Sequence, residues 1–179
     1  PLCDSKATLA AVIESGMSAV AVATGKPSPK LCAVSIDDFE AARSMTRALI
    51  GLGHQRIGFI KGHPNQTASA QRYKGFLAEM EEAGLRVEPS QVAQGYFTYR
   101  SGLEAAEALL RARMRPTAIF ASNDDMAAAT LAVAHRQKLD VPCDLSVAGF
   151  DDTPLALAVW PALTTVRHPI SAMARKAVE

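Results

Sequence analysis

The chain has 179 residues, 49% of them apolar and 21% charged, and 19 Lys and Arg against 18 Asp and Glu leave a net charge of +1. That is an ordinary soluble globular composition, long enough for one large domain or two small ones with a sizeable core. The balanced charge leaves no electrostatic footprint for nucleic acid or an anionic membrane, no apolar stretch reaches the length of a membrane span, and no signal peptide is visible.

Short β-branched runs alternate with longer amphipathic segments along the chain. SAVAVAT (residues 18–24) reads as a first buried strand, and residues 38–52 read as a helix ended by Gly53. RIGFIKG (56–62) is the next strand, with His54 just before it as a helix-terminating residue. A helix over about 69–83 places Tyr73, Phe76, Leu77 and Met80 on one face and stops at Gly84. VAQGYF (92–97) is a weaker strand. The helix after it opens with Ser101-x-x-Glu104, the pattern of a capping box. TAIFAS (117–122) is a strand that hands over near Asp124 to a helix carrying Ala127, Ala128 and Ala129, small enough to lie close on a sheet. LSVAGFD (145–151) is the last full strand. Near-continuous apolarity, rather than alternation, marks parallel strands covered on both faces, so the expected class is α/β with a doubly wound parallel sheet.

Beyond residue 151 the rhythm breaks. Pro154, Pro161 and Pro169 leave LTTV as a short strand and suit a crossing between two subdomains, with residues 171–179 beginning a helix of the other one. The chain starts at Pro1 and finishes in an uncapped helical pattern, which reads as a piece of a longer protein. Cys3, Cys32 and Cys143 are odd in number and widely spaced, which fits reduced thiols in a cytosolic protein and no zinc site.

In open parallel sheets, ligands bind beyond the carboxyl ends of the strands. Those ends carry Gly62, Phe97, Ser122-Asn123-Asp124 and Asp151-Asp152. Asn123 offers donor and acceptor together, and Asp151 accepts when ionised. The plainer alternative is a helix cap; Asp124 fits the cap better, while for Asn123 the two roles are evenly matched. Arg72 lies off the apolar face of its helix, close to Gly75. A mid-helix glycine costs about 1 kcal/mol against alanine and usually permits the close approach of something else. The arginine could hold paired oxygens or be a solvated side chain facing Glu79, the commoner arrangement. Phe97 is a ligand platform or plain core, and His168 is cleft-facing or merely exposed.

Motifs for enzymes are mostly missing. GLGHQR begins like a dinucleotide fingerprint, but Arg56 stands where the last glycine belongs. The pairs Asp124-Asp125 and Asp151-Asp152 could hold Mg²⁺, yet no nucleophile or phosphate-binding lysine accompanies them. No catalytic residue, metal site or cofactor is assigned.

Taken together, IDDFEAA, LIGLGHQRIGFIKG, QRYKGFLAEMEEAGL, PTAIFASNDDMA, VPCDLSVAGFDDTPLA and PALTTVRHPI closely resemble the effector-binding core of LacI/GalR-family bacterial transcription regulators, in order and at the right spacings. The resemblance implies a periplasmic-binding-protein-like type I fold: two Rossmann-like lobes with parallel sheets, joined by crossing strands around a cleft. Residues 38–166 would form the C-terminal lobe. Residues 1–37 and 167–179 would be parts of an incomplete N-terminal lobe, and the helix-turn-helix head lies outside this chain. Matched position by position, the resemblance makes Arg72 the effector clamp, Phe97 the stacking aromatic, and Asn123 and Asp151 hydrogen-bonding groups for sugar hydroxyls. His168 falls at a cleft-facing position that usually holds glutamine. Arg, Asn and Asp beside an aromatic face suit a sugar ring, and purine-responsive relatives tend to have glycine where Asn123 stands. The implied protein is a cytoplasmic repressor that works as a homodimer or higher oligomer. It binds operator DNA through the missing head and responds to a small-molecule effector, a sugar, with no membrane partner. The alternative with the same fold is a periplasmic sugar-binding protein of an ABC transporter or chemoreceptor.

Overall fold

The computed structural model describes residues 6–22 and 30–179. Cys3 and the end of the expected first strand, residues 23–24, lie outside the described residues. In chain order the elements are α1 (Lys6–Glu14), β1 (Val20–Val22), β2 (Cys32–Val34), α2 (Asp38–Gly51), β3 (Ile57–Lys61), α3 (Thr67–Glu82), β4 (Val92–Gln94), α4 (Tyr99–Leu110), β5 (Ala118–Ala121), α5 (Asp124–Arg136), β6 (Ser146–Asp151), α6 (Pro154–Ala158), β7 (Thr164–Arg167) and α7 (Ile170–Val178). The proline-marked stretch thus holds a short helix, α6, which the sequence reading had not anticipated. Pro154 occupies its first turn, where a missing N–H costs nothing.

The strands form two parallel sheets. One pairs β1 with β2; the other has five strands in the order β4-β3-β5-β6-β7. Stepping from β3 outward to β4 and back across to β5, β6 and β7 makes a switch point, where loops splay apart at the carboxyl ends.

Both faces of the large sheet are covered, which is why its strands read as apolar runs. On one face Phe59, Phe120, Ala148 and Phe150 pack with Ala42, Met45 and Leu49 of α2 and Phe76 and Met80 of α3. On the other, Ile60, Ile119, Ala121 and Val147 pack with α4 and α5. Phe59 stacks on Phe76 at 4.8 Å between ring centroids and meets Phe120 edge-on at 5.3 Å. Each such fully buried large side chain contributes about 1.5–3 kcal/mol by leaving water.

Gly53 and Gly84 take positive φ after α2 and α3 and end those helices as expected. Gly75 answers its own question: a Cβ there would lie 2.2 Å from the carbonyl oxygen of Phe39, so the glycine lets α3 close on α2. Glu79, also buried, is held there by Arg43 (2.9 Å) and Arg47 (2.7 Å) and makes no contact with Arg72. The expected capping box at Ser101 is displaced by one turn. α4 starts at Tyr99 with Thr98 as its N-cap, accepting from the Ser101 N–H at 3.2 Å, and Glu104 faces Arg100 instead.

His54 does more than follow a helix. Its ring nitrogens sit 3.0 Å from the hydroxyls of Thr117 and Ser146, bracing the amino-terminal edges of β5 and β6. Burial lowers its pKa, which keeps the imidazole neutral in this role. No described helix is long and apolar enough to cross a membrane.

Candidate functional site

At the opposite, carboxyl edge of the sheet, the loops after β3, β4, β5, β6 and β7 converge on Arg72. The side chain is 7% exposed, far from the solvated arginine that helix periodicity favoured. It reaches from α3 across the strand ends: Nε donates to Asp38 Oδ1 at 2.8 Å, and Nη1 donates to the Ser122 carbonyl at 2.6 Å and to Asp151 Oδ1 at 3.4 Å. The guanidinium lies 3.5 Å from the centroid of the Phe150 ring and 5.8 Å from that of Phe97. A weakly hydrated planar cation tolerates this desolvation because carboxylates, a carbonyl and π faces replace its water. Nη2 has no partner among the described residues, so two of the five N–H donors stay uncommitted.

Asp151 ends β6 at φ +108°, and Asp152 follows at +56°. Burial is the main influence on the Asp151 carboxyl and pushes it up to about 6; Arg72 opposes the rise, while Asp124 and Asp38 add to it. Asp152 turns away to pair with Arg167 at 2.6 Å.

Asn123, and not Asp124, takes the helix-cap role. Asn123 is the N-cap of α5: its Oδ1 accepts from the Met126 N–H at 3.1 Å. Asp124 is the first residue inside the helix and a buried hub. Its Oδ2 accepts from the Thr153 N–H and hydroxyl at 2.7 and 3.0 Å, and its Oδ1 from the Thr165 hydroxyl at 2.6 Å. The physical reason is backbone conformation. Residue 123 is extended (φ −155°), which suits a cap, whereas residue 124 is already helical and its carboxylate is free to tie α5 to β7 and the loop before α6. Gly149 makes room, since a Cβ there would fall 2.5 Å from Asp124 Oδ1.

The second half of the Asn123 amide reaches the aromatic residue. Nδ2 donates to the Phe97 carbonyl at 3.1 Å, pinning a residue held at φ +62°. The Phe97 ring lies over Gly62, where a Cβ would come within 2.0 Å of it. His168 completes the cluster: its backbone N–H donates to the Asp151 carbonyl at 3.1 Å. Its half-buried ring has a pKa lowered by burial and by Arg72, against a weaker opposing pull from Asp38. All five sequence-selected residues therefore gather at one edge.

Sequence reading missed Asp38, Phe150, Thr153 and Thr165. Asp38 passed for an ordinary helix start and Phe150 for strand core; only the close approach of α2 to the sheet reveals them. Among the described residues, no three His, Cys, Asp or Glu side chains are grouped to hold a metal ion.

A family profile described as a periplasmic binding protein-like domain matches residues 46–179. The chain belongs to this family. It is 39% identical over 170 residues to the HTH-type transcriptional regulator DegA of Bacillus subtilis, a match covering 95% of this chain and 50% of DegA. Among solved structures, a sugar-binding LacI-family transcriptional regulator from Escherichia coli, complexed with phosphate, superposes with a TM-score of 0.88 at 28% identity, over 97% of this chain and 63% of that one. The transcriptional regulator CelR in complex with cellobiose gives 0.83 at 26% identity, over 96% and 60%. The LacI/GalR resemblance and the periplasmic-binding-protein-like α/β fold both hold. The chain spans about half the length of the curated relatives it matches.

Proposed function

We propose that this periplasmic-binding-protein-like chain is the effector-binding core of a cytoplasmic transcription repressor and senses a sugar. In this reading residues 38–166 form one lobe, and residues 1–37 and 167–179 belong to the second. The ligand sits between them at the carboxyl edge of the five-stranded sheet. The observation that carries it is the desolvated Arg72, braced by Asp38, Ser122 and Asp151 with Nη2 still uncommitted, beside the Phe97 ring. An arginine with spare donors, a carboxylate acceptor and an aromatic face match the paired hydroxyls and apolar face of a pyranose. Asn123 acts mainly by holding Phe97 in place, and the neutral His168 ring adds one donor and one acceptor at the crossing. The protein has no catalytic role in this account.

Mechanistically, a sugar that bridges both lobes favours one lobe angle, and it shifts the equilibrium only by its differential affinity for the two states. Operator DNA is gripped by a head outside this segment, whose spacing in a homodimer follows the lobe angle. Leu157 and Trp160, 80% and 84% exposed around α6, supply an apolar surface for the second copy.

The test uses the full-length protein. A sugar panel is screened for release or tightening of operator DNA by gel shift, then repeated on Arg72→Ala and Asp151→Ala. Operator binding should persist in both variants while the sugar response disappears. A normal response in both would refute the assignment.

A further inference from the structure

The arginines divide into those that make an ion pair and those that do not, and most of the latter share one place in the fold. Arg43, Arg47, Arg72, Arg86, Arg100, Arg111, Arg136 and Arg167 each make an ion pair. Arg56, Arg113, Arg115 and Arg175 make none among the described residues. Three of those four, Arg56, Arg113 and Arg115, line one open cavity of about 380 Å³.

This cavity lies at the opposite pole from the Arg72 cluster. Arg56 immediately precedes β3, Arg115 and Thr117 precede β5, and Asp144 precedes β6, so the lining comes from the amino-terminal edge of the sheet. The wall is tied together at several points. Arg56 Nε donates to the Arg115 carbonyl at 3.3 Å, and the Thr117 N–H donates to the Arg56 carbonyl at 2.8 Å. The Thr117 hydroxyl also meets His54. The only carboxylate in the lining, Asp144, is partly committed, since Oδ2 accepts from the Asp140 N–H at 2.9 Å. Among the lining residues, three arginines against one aspartate sum to +2, in a chain whose total is +1.

We infer that this cavity is a second ligand site, for a small molecule bearing a phosphate group. Guanidinium forks bind phosphate oxygens in pairs, and three arginines without an ion pair in one lining raise the local potential that draws an anion in. The volume falls within the range of small-molecule pockets. Met114 gives the wall an apolar portion, which suits a phosphate ester better than the bare ion.

The experiment is calorimetric titration of the full-length protein, at constant ionic strength, with inorganic phosphate, pyrophosphate, glucose 6-phosphate and AMP. Arg113→Ala, Arg115→Ala and Arg56→Ala are compared with Arg175→Ala, the remaining unpaired arginine, which lies outside the cavity. Saturable binding of at least one phosphate ester is expected. Affinity should fall roughly 10- to 100-fold in each cavity variant, the usual effect of losing a charged hydrogen-bonding partner, and stay unchanged in Arg175→Ala. Circular dichroism melts check that the variants are folded. No saturation by any ester overturns the proposal, as does equal weakening in Arg175→Ala. Binding of polyglutamate without binding of any ester would also overturn it, in favour of an acidic protein surface as the partner.

Discussion

Replacing Asp151 with asparagine removes a charge while keeping the shape of the side chain. Asparagine tolerates the φ of +108° at this position, and its Oδ1 can still accept from Arg72. In the native protein the carboxyl is raised from 3.8 to about 6, because burial outweighs the attraction of Arg72. A raised carboxylate pKa means that the ionised form is less favourable folded than unfolded. Below pH 3.8 the group is protonated in both states and costs nothing. The cost grows as pH climbs to about 6 and stays constant above it. At roughly 1.4 kcal/mol for each pH unit of that interval, the ionised carboxyl opposes folding by ~3 kcal/mol. That figure is a ceiling, since the side chain keeps 26% of its surface in solvent. Urea unfolding of full-length wild type and Asp151→Asn at pH 4, 5, 6 and 7.5 should therefore show the variant ahead by about 2–3 kcal/mol at pH 7.5, with the gap closing toward pH 4. A variant less stable at pH 7.5, or a gap independent of pH, would refute the reasoning.

Two further substitutions probe the backbone. Gly75→Ala drives a methyl group to 2.2 Å from the Phe39 carbonyl oxygen and should lower stability by about 2–3 kcal/mol as α2 and α3 separate, read as a fall in the urea midpoint; an unchanged midpoint would mean that the helices can part freely. Lys138, exposed after α5 at φ +58°, sits where glycine ends a helix without strain, so Lys138→Gly should raise stability by about 1 kcal/mol, with a higher melting temperature as the readout.

The fold was legible because burial on two faces leaves a mark that survives in one dimension. Residues 56–62, 117–122 and 145–151 are apolar without alternation, and each yields a strand of the five-stranded sheet. The end of the sheet where Arg72 and its partners gather could be read for the same reason: polar residues cluster where those runs stop. What could not be read is who partners whom. Asp38 lies 34 positions from Arg72, and the ion pair exists only because Gly75 lets α2 approach. Periodicity assigned α3 a face of Tyr73, Phe76, Leu77 and Met80; Phe76 and Met80 are fully buried and Tyr73 and Leu77 partly so, yet the buried stripe also takes in Ser69, Arg72, Gly75 and Glu79. A charged residue on such a stripe looks solvated until its partners are known. Asn123 against Asp124 was a choice between neighbouring cap formers, and the cap Thr98 went unread in favour of Ser101. Only φ and ψ decide between these, and no composition rule supplies them.

Strain and desolvated charge fall together in this molecule. Of the four non-glycine residues at positive φ among those described, Lys138 closes a helix, while Phe97, Asp151 and Asp152 all stand at the carboxyl ends of β4 and β6. The same few ångströms hold a guanidinium stripped of water and a carboxyl raised to about 6. At the other pole, His54 satisfies two hydroxyls and leaves no comparable tension. Backbone strain of about 1–3 kcal/mol per residue persists only where the surroundings over-determine it. Here Asn123 fixes Phe97, and Arg72 with His168 fixes Asp151. A ligand that donates to Asp151 would stabilise its ionised form and recover part of the stability that burial of this carboxyl costs. In the proposed reading, a ligand that makes this contact in only one arrangement of the two lobes would thereby gain the differential affinity that shifts them.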